Sequence, residues 1–166
     1  MRPEIRPNQT FLAPMKSLAE FLQAVAITLW IGGLWVIGLL VAPLLFQNLT
    51  DRSLAGALAG RFFTAMAWIG LGCGLYLLVY RLQRYGGQAL RQLFFWLVLL
   101  LLALTAAGHF GVQPILASLR QQALPLEVMQ SLFRERFAVW HGVASVLFLI
   151  QCALGLAVVA LHGRGR

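Results

Sequence analysis

Charged residues are scarce in this sequence, which has 166 residues and only 5 Asp and Glu in total. Asp, Glu, Lys and Arg together make up 11% of the chain, whereas soluble globular domains carry about 25%. Apolar residues reach 60%, against roughly 45–50% in such domains. So few polar groups cannot cover so much apolar side chain in water. The composition therefore excludes an ordinary soluble protein and indicates an integral membrane protein.

The sequence also lacks the residue patterns of several enzyme classes. The two cysteines, Cys73 and Cys152, form neither a CxxC pair nor a disulfide framework. There is no Ser–His–acid set and no HExxH motif, so hydrolytic chemistry is not indicated. A proton-coupled transporter usually carries an acidic residue within a membrane span, and no apolar run here contains one. We therefore expect a non-enzymatic membrane component.

The net charge is positive, at +8, and comes from 13 Lys and Arg residues. In a soluble protein such a surplus would indicate nucleic-acid binding. Here the arginines lie singly or in loose groups beside apolar runs, where lipid head groups and membrane topology favour them. The sequence therefore predicts contact with the lipid bilayer and no nucleic-acid partner.

Four apolar runs are each long enough to cross a hydrocarbon core, which takes about 20 helical residues. None contains Lys, Arg, Asp or Glu, and their apolar residues are continuous instead of alternating, which favours helices over strands. The sequence thus predicts an all-α, polytopic membrane four-helix bundle. We place its spans at about 21–46, 62–80, 93–112 and 137–161.

The flanking charges predict the orientation of these spans. Eight Lys or Arg residues lie in the two terminal segments and the second loop, whereas five lie in the first and third loops. Because positive residues concentrate on the cytoplasmic side, we expect both termini in the cytoplasm. Residues 1–20 then form an N-terminal cytoplasmic segment, and residues 162–166 form a cytoplasmic tail. The expected location is the bacterial inner membrane.

The three loops have different sequence signals. Asn48 to Asp51 is typical of a helix start and favours an outward extension of span two. The second loop is short, with Gly86-Gly87 at its tip, so spans two and three should be antiparallel neighbours. The third loop is the longest and is interrupted by prolines. Its apolar residues recur at helical spacing and predict a short amphipathic helical segment on the outer membrane face: Leu126, Met129, Leu132 and Phe133.

Small residues at intervals of four allow close contact between membrane helices. We expect the glycines of spans one and two to form packing faces, either within one bundle or in contact with a second copy or another membrane protein. The sequence does not distinguish between these partners. The glycines concerned are Gly32 and Gly33 in span one, Gly70 and Gly74 in span two, and Gly56 and Gly60 just before it.

Polar residues gather near the outer ends of the spans. At a rise of about 1.5 Å per residue, His109 lies near the outer end of span three and His141 just inside the outer end of span four. The two histidines are therefore expected in one layer on consecutive antiparallel helices. We call the predicted set the outer polar cluster. Its members are Pro43, Gln47, His109, Gln113, His141 and Ser145.

Two interpretations of this cluster stay open. Neutral imidazole is a good ligand for haem iron and copper, so His109 and His141 are candidate metal ligands. Haem b needs only two axial nitrogens, whereas copper would be expected to have a sulfur partner and zinc needs further ligands. Alternatively, the cluster is a polar belt in which each histidine bonds a neighbouring helix or interfacial water. The alternative to a non-enzymatic component is therefore a haem- or copper-binding membrane redox protein.

Short motifs in a fixed order give a family resemblance over residues 21–161. Trp30-Ile-Gly-Gly33 and Val41-Ala-Pro43 in span one are followed by Gly111-Val-Gln-Pro114 and by His141-Gly142-x-x-Ser145. Together they resemble the transmembrane protein 205-like family, a four-helix membrane domain of unknown function. More distantly, the chain is similar to copper-resistance D-type proteins and to bacterial membrane protoporphyrinogen oxidases. The first resemblance implies a membrane protein without an assigned reaction, and the second implies histidines that bind metal or haem.

Overall fold

Long apolar runs without charged residues fold into helices because lipid offers no partner to an open backbone group. The computed structural model of the protein describes residues 12–124 and 128–164, which are 94% helical and contain no strand. Four helices are long and apolar enough to cross a membrane. The predicted all-α class with four membrane helices is therefore confirmed. We label the helices α1 (Leu18–Asn48, within a helix that begins at Leu12), α2 (Arg52–Tyr85), α3 (Leu93–Ala123) and α4 (Arg134–Arg164).

The start of α2 agrees with the helix signal in the sequence. The Asp51 carboxylate accepts hydrogen bonds from the backbone N–H groups of Ser53, at 2.8 Å, and Leu54, at 3.1 Å. It thereby satisfies two of the donors that a helix start leaves free. The helix consequently begins well before the predicted second span and continues to Tyr85 without interruption.

The turn between α2 and α3 is tight. Gly86 ends α2 with φ at 54°, in the left-handed region that favours glycine, and a short 3-10 helix over Gly86–Arg91 leads into α3. A turn this short brings α2 and α3 together as antiparallel neighbours. With three such reversals, the start of α1 and the end of α4 lie at one end of the bundle, which we call the terminal end. The opposite end is called the far end.

The third connection differs from the prediction in position. The amphipathic helical segment is Gln113–Ala123, which buries Leu116, Leu119 and Ala123 and continues α3 directly. Over the segment where we expected it there is only a 3-10 turn, Val128–Gln130, and Leu132 is 99% exposed. Leu126 lies outside the described residues. From the sequence we expected the third helix to end near Pro114, but it continues through this residue to Ala123.

Wide turns explain how the helices continue through prolines. A proline inside a helix lacks the N–H donor, and its ring clashes with the carbonyl group four residues earlier. Pro43 follows a π-helical segment over Val36–Val41, and Pro114 follows another over Ala107–Val112. The wider turn moves the clashing carbonyl aside, so each helix continues beyond its proline. Both wide segments lie in the half of the bundle nearer the far end.

The tightly packed core lies in the other half, towards the terminal end. Trp30 is its centre, with only 1% of its surface exposed. Around it pack buried side chains from all four helices: Ala26, Ile27, Leu77, Leu78, Phe94, Phe95, Val98, Leu101 and Val158. The terminal half of the bundle is consequently filled by side chains, whereas the far half is not.

Candidate functional site

A cavity of about 600 Å³ occupies the far half of the bundle. It is lined by the later parts of α1 and α3 and by the earlier parts of α2 and α4, with Val128 and Met129 from the third connection. Small-molecule sites in proteins have volumes of roughly 300–1,000 Å³. The cavity is therefore large enough for a ligand that reaches across the bundle.

Small side chains on facing helices leave this space open. Gly38 of α1 is the point at which Phe148 of α4 crosses towards α1, because a Cβ at Gly38 would overlap the phenyl ring. Phe148 also meets Phe63 of α2 edge to face, with 6.1 Å between ring centroids. With Trp30 and Met66 these rings form an apolar floor. Above it the small lining residues are Ala42, Gly56, Ala59, Gly60, Ala67, Gly108 and Ala144.

The polar lining is positively charged. Two arginines, Arg52 and Arg120, line the cavity, and no Asp or Glu does so within the described part of the chain. By contrast, Arg84 at the terminal end forms an ion pair with Glu20, at 3.0 Å. The other polar residues of the lining are Ser53, Thr105, His109, Gln113, His141, Ser145 and Gln151. The cavity thus combines an apolar floor with a cationic side.

Arg120 is held in place by its surroundings although no carboxylate of the described residues pairs with it. Its guanidinium lies over the ring of Phe137, with 5.6 Å from Cζ to the centroid. Its side chain also passes over two glycines of α2. A Cβ at Gly60 would lie 3.2 Å from Nη1, and a Cβ at Gly56 would lie 3.8 Å from Nε. The half-buried cation therefore lies in a notch on α2, which we call the Gly56–Gly60 notch.

The two histidines have different surroundings. The His109 ring meets Trp68 and Phe110 edge to face, at centroid distances of 5.2 and 4.7 Å. Its Nδ1 is buried and has no hydrogen-bond partner among the described residues, which is costly unless water or a ligand supplies one. The His141 ring stacks on Phe137 at 5.8 Å and is exposed. His109 is thus the histidine with an unmet polar atom.

One pair of buried polar residues joins α3 to α4 deep in the cavity. The Thr105 hydroxyl lies 3.1 Å from Oε1 of Gln151 and 2.9 Å from the carbonyl oxygen of Leu101. Both side chains are buried. This contact fixes the two helices relative to each other at the bottom of the polar side.

The exposed residues of the lining show where the cavity opens. Seven lining residues are exposed: Pro43 and Phe46 of α1, Arg52 and Ser53 of α2, Met129 of the third connection, and His141 and Ser145 of α4. The Ser145 hydroxyl donates to the carbonyl oxygen of His141, at 2.9 Å, and so stays on its own helix. The cavity therefore opens near the far end, and Pro43, His141 and Ser145 mark the part of its rim that lies on α1 and α4.

The outer polar cluster is largely brought together by this geometry. Five of its six members line the cavity: Pro43, His109, Gln113, His141 and Ser145. Gln47 does not line it and is exposed at the end of α1.

A comparison with protein families adds one finding. The family model described as a domain of unknown function, DUF4149, matches residues 25–125, more than half of the chain. The chain belongs to the DUF4149 family. The matched part includes Trp30, Gly60, His109 and Arg120, whereas His141 lies outside it. No curated protein and no solved structure matches the chain.

The predicted packing glycines of this DUF4149 protein have different environments. Gly70 and Gly74 lie against the indole of Trp30, and a Cβ at Gly33 would lie 2.6 Å from Sδ of Met66. Gly32 differs from our expectation, because no described atom lies within 4 Å of the place its Cβ would take. It faces outward from a π-helical turn.

The donor atoms of the DUF4149 cavity limit which metals its residues could hold. The described residues contain no group of three or more His, Cys, Asp or Glu placed to bind one ion. Neither Cys73 nor Cys152 lines the cavity, so the sulfur atoms of its lining are the thioethers of Met66 and Met129. The two imidazoles of the lining match the two axial nitrogens that haem b needs. The unpartnered Nδ1 of His109 is compatible with that use.

Arg52 and Arg120 are the two arginines of the lining, and the sequence analysis did not predict either as a site residue. Both were counted only as topology signals. For Arg120 a usable signal existed, because Gln113, Leu116 and Arg120 are spaced three and four residues apart and so share one helical face. Treating Pro114 as the end of the helix concealed that spacing.

Proposed function

We propose that this DUF4149 protein is a non-enzymatic membrane component that binds a small molecule of the bilayer in its far-half cavity. One observation carries this proposal: a cavity of about 600 Å³ lies among the four membrane helices, and five residues of the outer polar cluster line it. A binding role without chemistry is supported by the lining, since its described residues offer neither a carboxylate nor a thiol to act beside the histidines.

We further propose membership of the transmembrane protein 205-like family and a bacterial inner-membrane location with both termini in the cytoplasm. The order of the short motifs and the excess of arginines beside the terminal end support this assignment. The segments 1–20 and 162–166 would then be cytoplasmic, and the cavity would lie in the outer half of the membrane. A C-terminal reporter that is active only in the cytoplasm tests this orientation.

Filling the cavity should displace the bound molecule. In Ala144→Trp an indole would project from α4 into the lining, so we expect native mass spectrometry of the purified protein to show loss of a co-purified species of small mass. The matched control is Ala153→Trp, on the exposed outer surface of the same helix, which should retain that species. Equal retention in the two variants, or no retained species in the unmodified protein, would contradict the proposed function.

A second candidate function is haem binding by His109 and His141. It is favoured by one specific observation, that both histidines line a single cavity and that His109 Nδ1 has no partner among the described residues. Bound haem would supply one-electron redox chemistry, and the two imidazoles would hold it. We then expect a Soret band in the visible spectrum that is lost in His109→Ala and in His141→Ala. The control is His162→Ala, near the terminal end, which should keep the band. Protein that stays colourless after haem supplementation would contradict haem binding.

A further inference from the structure

We propose that the cavity selects an amphipathic anion, a molecule with one phosphate or carboxylate head and a single apolar tail, and that Arg120 binds the head. This inference rests on the proposed function and names the class of ligand. It follows from three features of the far half: a cation that no carboxylate of the described residues pairs with, an apolar floor beside it, and exposed lining residues on two membrane helices.

The charge of the cavity decides the sign of the ligand. Arg52 and Arg120 line it together with two histidines, and no described lining residue is acidic. A guanidinium remains charged at any physiological pH, and a half-buried charge inside a membrane protein is costly without a partner. A bound anion removes this cost, whereas a cation would add to it. The site therefore favours an anionic head group.

The Arg120 guanidinium is preorganised to receive such a head. The Phe137 ring covers one face of it, and the Gly56–Gly60 notch holds its edge. A guanidinium in this position keeps donors free for two parallel hydrogen bonds to a phosphate or carboxylate. Gln113 lies on the same helical face and lines the same side, so it adds an amide to the polar end. No large reorganisation is needed when the anion binds.

The rest of the cavity fits an apolar tail. Below the polar side lie Phe63, Met66 and Phe148, and Trp30 closes the bottom. Aromatic and aliphatic side chains form a continuous surface there, which a free inorganic anion would leave uncovered. The tail of a lipid-like molecule would contact it. The ligand should therefore be amphipathic.

The exposed residues of the lining indicate how a ligand would enter the cavity. Pro43 of α1 and Ser145 of α4 are exposed lining residues, and both helices carry exposed apolar side chains, so an opening between these two helices would face lipid. A molecule already dissolved in the bilayer reaches the cavity through this opening without crossing water. Its head would pass the exposed His141 ring before it meets Arg120.

The test uses native mass spectrometry of the full chain in a non-ionic detergent with four probes. Oleoyl lysophosphatidic acid carries the anionic head and the tail, and monooleoylglycerol carries the same tail without the phosphate. Oleoyl lysophosphatidylcholine masks the negative charge with a cation, and inorganic phosphate is the head alone. We expect one lysophosphatidic acid per chain, with the other three probes at least tenfold weaker.

Variants then test the role of Arg120. Arg120→Gln should weaken lysophosphatidic acid binding by about 10- to 100-fold, as expected for the loss of a hydrogen bond between charged groups, and Arg120→Lys should recover part of the affinity. The control is Arg61→Gln, an exposed arginine of α2 outside the lining, which should bind as the unmodified protein does. Thermal unfolding of each variant shows whether it is folded. If Arg120→Gln does not fold, Arg120→Lys decides the result. This variant should bind lysophosphatidic acid more weakly than the unmodified protein does, but still more tightly than it binds monooleoylglycerol.

The outcomes separate this inference from the proposed function. Equal binding of monooleoylglycerol and lysophosphatidic acid, or full affinity in Arg120→Gln, would overturn the anion inference. If either result is obtained and the Ala144→Trp substitution nevertheless abolishes binding of the probes, the cavity remains a ligand site and the proposed function stands. Equal binding of inorganic phosphate would overturn the apolar-tail part. Probe binding that does not respond to Ala144→Trp would contradict both.

Discussion

Replacing Trp30 with alanine should lower the free energy of unfolding of this protein by about 3 kcal/mol, the lower end of the range for Trp→Ala substitutions in protein cores. Trp30 is 1% exposed and lies against Gly70 and Gly74 of α2. In lipid, helices associate mainly through van der Waals contact, because the hydrophobic effect does not distinguish a buried from a lipid-facing side chain. Removing the indole deletes these contacts and leaves a void that the glycines cannot fill.

The measurement is unfolding by sodium dodecyl sulfate in mixed micelles, followed by far-ultraviolet circular dichroism. The matched control is Trp35→Ala, because Trp35 lies on the same helix and is 37% exposed. It should change the free energy of unfolding by less than about 1 kcal/mol. Equal effects of the two substitutions would mean that α1 does not pack on α2 through Trp30.

Much of the fold could be predicted from the sequence because lipid imposes strong rules on it. Uncharged apolar runs of sufficient length must be helical, and the Asp51 signal correctly indicated that α2 begins before its apolar part. The extension of α3 was missed. Pro114 has the usual features of a helix end, but the π-helical turn over Ala107–Val112 makes room for its ring. This wider turn is a property of the backbone before the proline, and it cannot be predicted from the residue types alone.

The candidate site was predictable to a different degree. Depth along each span was enough to expect His109 and His141 in one layer, since a helix rises by a fixed amount per residue, and both line the cavity. The role of Arg120 was not predictable, because an arginine near a span end is equally typical of a topology signal. What distinguishes it is the Gly56–Gly60 notch on another helix, a contact between residues 60 positions apart in the sequence.

The two glycine pairs of α2 show this limit most clearly and lead to our last prediction. Gly56 and Gly60 have the same spacing as Gly70 and Gly74, and the sequence predicts helix packing for both pairs. In the structure a Cβ at Gly70 would overlap the Trp30 indole, whereas a Cβ at Gly60 would meet only the end of the flexible Arg120 side chain. The first pair packs a core residue, and the second pair positions a cation.

Valine at Gly70 should therefore mainly reduce stability, whereas valine at Gly60 should mainly reduce ligand binding. Gly70→Val should lower the free energy of unfolding by about 1–3 kcal/mol, the cost of overpacking a core, because the new side chain would overlap the Trp30 indole. Gly60→Val should change it by less than about 1 kcal/mol but weaken lysophosphatidic acid binding by about tenfold, the equivalent of roughly 1.4 kcal/mol, because the guanidinium is pushed from its notch. Detergent unfolding and native mass spectrometry measure the two quantities on the same preparations.

The Arg120→Gln background gives the decisive control for this pair. If Gly60 acts only by positioning Arg120, adding Gly60→Val to Arg120→Gln should cause little further loss of affinity, since the group it displaces is already gone. Such non-additivity is expected when two substitutions remove one interaction. Independent losses that simply add would mean that valine blocks the cavity by its own bulk. A loss of stability as large as that of Gly70→Val would instead mean that the Gly56–Gly60 notch packs helices in the way the Gly70 pair does.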